Sequence, residues 1–355
     1  MPNWQHCKLL MNKPVTDNGE LITMSRQRIT IIGTGCIGAS IGLALRQSKD
    51  AEYLEIVGHD RESSLARQAQ KLEAFDRAIF NLDLALDGAR LVILAVPLAA
   101  LREVLADVGR LLSPDAGVVV TDTAPLKAPV IAWADELLPK GNYFVGADPF
   151  LAPGTGGWEA LEGPADARAD LFARAVYAIT ARPEDHPSAV RAVANLALVL
   201  GAEPLYMDPV EHDAARAIAD SVPGVIATAL FQATAEAPGW AEVRKAAGRP
   251  FATATAAASG DAASRRMAAL LGREPLLRGL DGVIDCLQTL RETIAQGDAD
   301  ALEQTFANTA QARTYWMVES RERIWEIERG PIQEDNLFQR TLQTLLGESL
   351  AGKRK

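Results

Sequence analysis

Arg28-Ile-Thr-Ile-Ile-Gly33-Thr-Gly35-Cys36-Ile37-Gly38 is the stretch on which the reading of the whole chain turns. Four of its first five residues are β-branched, which restricts their side-chain rotamers and favours an extended strand. Gly33 allows a tight turn, Gly35 lets a ligand approach the main chain, and Gly38 lets the following helix pack closely on the strand. Apolar residues from Ile37 to Gln47 recur at helical spacing, so the strand feeds a helix whose first N–H groups stand unpaired. Those donors and the partial positive charge of a helix N-terminus attract phosphate. A second strand, residues 55–59, ends in Asp60, about 20 residues beyond the last glycine, where a carboxylate can accept from ribose hydroxyls. Cys36, inside the turn, reads as a small apolar spacer.

Strand, glycines, helix, strand and acid in this order predict a dinucleotide site. Asp60 favours NAD, because a 2′-phosphate beside a carboxylate is repelled, while Arg61 next to it could pair with that phosphate and admit NADP. Further short apolar runs at 91–95, 117–122, 143–147 and 177–180 read as strands, and residues 61–72 and 98–112 as helices between them. After Pro183 the pattern changes: residues 188–200, 210–237 and 276–296 read as helix, with hardly a strand among them. The predicted fold class is therefore an α/β Rossmann-type doubly wound domain followed by an all-α C-terminal domain. The expected division is an N-terminal extension over 1–27, the Rossmann domain over 28–184, a helical domain over 185–330 and a tail over 331–355. Pro183 and Pro187 bracket the boundary, where Ser188 can cap the next helix. Residues 238–260, with several Gly, Pro, Thr and Ala, are expected to form a loop or broken helix.

The 355 residues suffice for two domains, and 48% hydrophobic with 23% charged residues is a globular composition. A net charge of -10 opposes a nucleic-acid or anionic-membrane partner. Three cysteines, Cys7, Cys36 and Cys286, show no CxxC spacing, so neither a disulfide framework nor a metal site is expected, and a cytoplasmic location fits. No uninterrupted apolar run is long enough to span a membrane, and residues 1–27 lack the apolar core of a signal peptide.

Several motifs resemble the prephenate and arogenate dehydrogenase family of tyrosine biosynthesis. Ile32-Gly-Thr-Gly-Cys-Ile-Gly-Ala-Ser, Gly58-His-Asp-Arg61 and Leu94-Ala-Val-Pro97 are similar to its nucleotide-binding half, as are Asp170-Leu-Phe172 and Tyr177-Ala-Ile-Thr180. Leu200-Gly-Ala and Met207-Asp-Pro-Val-Glu-His-Asp213 are the most specific matches beyond the glycine loop. The resemblance implies oxidative decarboxylation: hydride passes from the ring carbon bearing the hydroxyl to the nicotinamide, and the ring carboxylate leaves as carbon dioxide. It also implies a small-molecule substrate and a homodimer formed through the helical domain. The cofactor-binding positions carried over are Gly33, Gly35, Cys36, Ile37, Gly38, Asp60, Arg61, Val96, Pro97 and Asp122.

The substrate side departs from the family pattern. The family's G-x-H-P turn, whose histidine engages the reacting hydroxyl, here reads Gly146-Ala-Asp148-Pro149. Its D-V-G-S-V-K loop reads Asp122-Thr-Ala-Pro125-Leu-Lys127, and its S-H-L-P-H helix start reads Ser221-Val-Pro223-Gly224 after Asp220. The arginine of its F-R-D-T-T-R stretch has no clear counterpart in residues 250–255. Asp148 is then the candidate general base, since a carboxylate of raised pKa can accept a hydroxyl proton. Lys127, beyond a strand end where ligands bind in open α/β sheets, is a candidate partner for a substrate carboxylate, with a solvent-facing lysine as the alternative.

Of the four histidines, His6, His59, His186 and His212, none occupies the family's catalytic position. His212, in a Glu-His-Asp run that could also suggest a metal site or a relay, reads first as part of a solvated or capping first turn. Arg313, Tyr315, Trp316, Arg321, Arg323 and Trp325 read as a late packing helix or a dimer surface. Two functions stay open: an NAD(P)-dependent dehydrogenase with an altered pocket, or a non-catalytic dinucleotide-binding relative acting as sensor or partner subunit.

Overall fold

A computed structural model describes residues 26–155, 161 and 163–322. The chain divides into two compact units, residues 1–308 and 309–355. In the first, β1 (Gln27–Ile32), β2 (Leu54–His59), β3 (Arg77–Ala78), β4 (Ala89–Leu94), β5 (Val119–Asp122), β6 (Tyr143–Phe150), β7 (Val176–Thr180) and β8 (Glu203–Tyr206) form one sheet in the order β3-β2-β1-β4-β5-β6-β7-β8. The strands from β3 through β6 in that order are parallel. The order reverses beside β1, and this leaves a crevice at the carboxyl ends of β1 and β4.

Strand alternation sends Ile29 and Ile31 to one face and Ile32, Val92 and Leu94 to the other, so each face needs a helical cover. The first is covered by α1 (Cys36–Arg46) and α6 (Pro187–Val199), with a contribution from α2 (Ser63–Lys71). The second is covered by α3 (Leu82–Leu86), α4 (Leu98–Leu111) and α5 (Ala128–Leu137). Helix α5 starts at Ala128-Pro129, a proline position that suits a first helical turn because its N–H would be unpaired anyway.

Two features of the sheet differ from the all-parallel, six-strand expectation. β7 runs antiparallel to β6, with Asp148 opposite Ala178. Between them the described residues contain only a short 3-10 turn, Pro164–Asp166, and a parallel return would require a crossover of a dozen or more residues, usually a helix. β8 then pairs parallel with β7 through the α6 crossover. The sheet therefore continues past residue 184, where the domain boundary was expected.

The helical region comprises α7 (Pro209–Arg216), α8 (Val222–Ala235), α9 (Trp240–Ala246), α10 (Arg249–Thr255), α11 (Ala262–Leu271), α12 (Arg273–Gln296) and the start of α13 (Ala299–Glu322). A π-helical turn, Ala217–Ser221, joins α7 to α8 in one run. That run, Pro209–Ala235, is long and apolar enough to cross a membrane by length and composition, yet it buries His212 and Asp213 in its first turns. The expected broken helix over 238–260 is the pair α9 and α10. The second unit, in its described residues, is the remainder of α13; Arg323 and Trp325, most of the 1–27 extension and the 331–355 tail lie outside the described residues.

Candidate active site

The loop after β1 packs so tightly that two of its glycines admit no side chain. Gly33 has φ +93, and a Cβ there would lie 2.3 Å from the Ala95 carbonyl oxygen. A Cβ on Gly38 would lie 1.9 Å from the Gly33 carbonyl oxygen, so any side chain would push the helix off the strand. Among the described residues no side chain caps α1 at Gly35, which leaves the N–H groups of its first turn (Cys36, Ile37, Gly38) as donors at the positive end of the helix. Cys36 itself is buried, and burial pushes its thiol pKa up, in keeping with a spacer role.

Asp60, at the end of β2, faces this loop. Its Oδ2 accepts from the Thr34 N–H at 2.8 Å and from the Thr34 hydroxyl at 3.0 Å, while Oδ1 accepts from the Glu62 N–H at 2.8 Å. The carboxylate thus fixes the glycine loop and retains acceptor capacity. Arg61 is exposed beside it, Val96 contacts the space above Gly33, and Pro97 is the N-cap of α4. These residues fit a dinucleotide: a backbone cradle without side chains, uncapped helix donors and one carboxylate. Replacing Asp60 with alanine is expected to weaken NAD binding about tenfold to hundredfold, the range for losing a hydrogen bond to a charged group, as measured by calorimetric titration.

Asp122 and Lys127 occupy a different setting from the one expected. Both are fully buried, and Lys127 Nζ donates to Asp122 Oδ2 and, at 2.7 Å, to the Ala147 carbonyl. Asp122 also accepts from the N–H groups of Ala124 at 3.0 Å and Ala147 at 3.2 Å. Burial pushes the Asp122 carboxyl upward while Lys127 and the amides pull against it. With its ammonium turned inward, Lys127 is not the solvent-facing lysine of the alternative reading; the pair ties the loop after β5 to β6.

Asp148, also buried, sits in β6 at the centre of a second polar group. His212 Nε2 stands 3.2 Å from Asp148 Oδ2, and His212 Nδ1 stands 2.9 Å from Asp213 Oδ1. Asp213 in turn accepts the Lys127 N–H at 2.6 Å and the Ala128 N–H at 3.0 Å, which places its carboxylate on the N-terminus of α5. Arg216 Nε lies 2.9 Å from Asp148 Oδ2 as an ion pair, off the direction of a hydrogen bond, with its guanidinium 5.3 Å from the Phe150 ring centre. Among the described residues the buried Tyr177 hydroxyl has no hydrogen-bond partner, and desolvation together with Asp122 and Asp148 raises its pKa, so the phenol stays neutral.

The expectation of a solvated first turn is corrected at His212, whose side chain is fully buried. Burial alone would lower its pKa, but the hydrogen bonds to Asp148 and Asp213 outweigh that and the net shift is upward. A raised folded value stabilises the fold fully below the ordinary imidazole pKa, and that contribution is lost as pH rises through the raised value. The difference in melting temperature between the native chain and His212→Gln should therefore shrink as pH is raised from neutral into the alkaline range.

A cavity of about 920 Å3 has walls from Pro125, Asp220, Ser221, Thr228, Ser264 and Arg266 among others. Arg216 Nη2 approaches Asp220 Oδ2 at 3.7 Å, which links the Asp148 group to the cavity wall. Arg265 is consumed in holding the fold, donating to the carbonyls of Ala258 and Gly224 (2.7 Å for the latter) and to the Thr228 hydroxyl at 3.0 Å. Arg266 is exposed on the wall and makes no hydrogen bond or ion pair among the described residues. Sequence reading set His212 aside as a solvated or capping residue and missed Arg216 and Arg266. The i, i+4 spacing of His212 and Arg216, which puts both on one helix face, was the available signal for those two.

Comparison with known proteins agrees with the geometry. Residues 41–205 match the prephenate dehydrogenase nucleotide-binding domain, and residues 208–308 match the prephenate dehydrogenase dimerization domain. The prephenate dehydrogenase of Bacillus subtilis is 27% identical over 282 residues, 79% of this chain and 74% of that protein. The prephenate dehydrogenase of A. aeolicus, solved in complex with hydroxyphenyl propionate and NAD+, superposes with a TM-score of 0.72 at 22% identity, covering 83% of this chain and 99% of that one. The Synechocystis arogenate dehydrogenase gives a TM-score of 0.64 at 24% identity, covering 82% of this chain and 100% of that one. With both halves matched in consecutive stretches and the dinucleotide cradle intact, the chain belongs to the prephenate/arogenate dehydrogenase family.

Proposed function

We propose that this protein is a cytoplasmic, homodimeric, NAD-dependent dehydrogenase that oxidatively decarboxylates prephenate or arogenate. The observation that carries this reading is the side-chain-free cradle at Gly33 and Gly38, with Asp60 beside it, in a chain matched by both halves of the family. NAD, when bound, supplies the hydride acceptor. The first-turn amides of α1 (Cys36, Ile37, Gly38), with Gly35, hold its pyrophosphate, Asp60 accepts from the adenosine ribose, and Val96 and Pro97 flank the crevice. Arg61 is the residue through which a 2′-phosphate could be tolerated.

The cavity takes the ring, within the size range usual for small-molecule sites. Arg266, a cavity-wall cation with no ion pair among the described residues, pairs with a substrate carboxylate. Asp148 receives the hydroxyl proton when the hydride leaves. Apolar residues left open on the helical region, among them Ile284, Leu287 and Ile294 on α12, supply the surface for a second copy of the chain. The domain division that follows places the nucleotide-binding half up to the end of β8 and the substrate and dimerisation half after it.

The test is absorbance at the reduced-nicotinamide band with NAD or NADP and either prephenate or arogenate. Turnover with either substrate supports the reading. No turnover, with NAD binding still measurable by calorimetry, leaves the non-catalytic relative.

A further inference from the structure

The polar group around Asp148 contains a histidine that the family's own pattern does not assign to catalysis, and its hydrogen bonds define where the protons sit. Both oxygens of Asp213 accept backbone N–H groups of α5, so Asp213 acts as an acceptor and His212 Nδ1 carries the proton between them. His212 Nε2 then faces Asp148 Oδ2 at 3.2 Å. Asp148 Oδ2 is further held by Arg216, whereas Oδ1 makes no hydrogen bond among the described residues. The groups facing the imidazole are Asp148 and Phe150 from β6, Asp213 and Arg216 from α7, and Lys127 at the start of α5, the Phe150 ring centre lying 5.5 Å away.

Building on the dehydrogenase reading, we infer that His212 is the positioning residue for Asp148: anchored by Asp213, it holds Oδ2 and leaves Oδ1 to take the proton of the reacting hydroxyl. The proton balance closes within the site. As the ring C–H pair leaves as hydride to the nicotinamide, the hydroxyl O–H bond breaks and its proton passes to Asp148, giving a carbonyl. As the ring carboxylate departs as carbon dioxide, the C–C electron pair aromatises the ring and the oxygen takes the proton back from Asp148. His212 keeps its own proton on the Asp148 side throughout. When it loses that proton at high pH, two lone pairs face each other at Nε2 and Oδ2 and the carboxylate is released from its orientation.

The test has two arms. In the first, 15N NMR of the histidine-labelled full chain follows His212, assigned by its loss in His212→Gln. Both ring nitrogens should be protonated at neutral pH, and His212 should deprotonate at lower pH in Asp148→Asn than in the native chain. A neutral His212 at pH 7, or one whose titration ignores Asp148→Asn, overturns the pairing. In the second arm, kcat/KM of the native chain should fall on the alkaline side. His212→Gln, whose amide can still donate but cannot titrate, should lose that limb. Turnover by His212→Gln with the native pH profile overturns the positioning role. Absence of turnover in the native chain overturns the dehydrogenase reading and this role with it, while the NMR arm still decides the pairing.

Discussion

Asp148→Asn lowers kcat by about 10^2- to 10^4-fold while NAD affinity stays within twofold of the native value. The substitution keeps the shape of the side chain and removes its capacity to take a proton. The NAD cradle is made by the loop after β1 and by Asp60, and neither touches Asp148, so binding and chemistry separate cleanly. Steady-state kinetics with calorimetric NAD titration read both effects. A kcat within twofold of native would remove Asp148 from the chemistry. A matching loss of NAD affinity would mean that the substitution acts through the fold.

Lys127→Ala should destabilise the protein by about 3–5 kcal/mol, because it leaves the fully buried Asp122 carboxylate without its cation. At the sensitivity usual for chains of this size, the melting temperature falls by about 10 °C. The loss arises from an uncompensated charge and not from the value of the pair itself. Lys127→Met combined with Asp122→Asn should therefore recover much of it. Thermal denaturation of the two variants checks this. Equal stability of Lys127→Ala and the native chain would mean that Lys127 faces solvent or a ligand, contrary to its contacts with Asp122 and Ala147.

Local chemistry made the first half of the fold legible. The β-branched run at 28–32, the glycines at 33, 35 and 38 and the acid at 60 act within one βαβ unit, where strand, turn and helix signals reinforce one another. What stayed hidden depends on residues distant in sequence. Whether β7 runs with or against β6 depends on how the intervening chain returns, and the strand itself carries no mark of direction. Asp213 binds the amides of Lys127 and Ala128, 86 and 85 residues away, and His212 binds Asp148, 64 residues away. A Glu-His-Asp run on a first helical turn looks solvated because polar side chains carry no local sign of burial. Only the tertiary contact turns it into a buried network.

The same limit explains Asp122 and Lys127. Asp122, the last residue of β5, read as part of the site through the family resemblance, and Lys127 because it follows a strand end where ligands bind in this architecture. Five residues apart, they satisfy one another instead, and their burial cannot be seen from composition. The departures at Asp148, Pro125 and Ser221, by contrast, were visible as letters. Two of them, Pro125 and Ser221, line the cavity, and the third pairs with His212.

The central claim is that hydride loss and decarboxylation occur together in this protein. The measurement that tests it most directly is the amount of carbon dioxide released per reduced nicotinamide formed by the full chain with prephenate or arogenate. The account predicts equal amounts of the two and an aromatic product. Reduced nicotinamide without carbon dioxide, or neither from either substrate while NAD still binds, would contradict it.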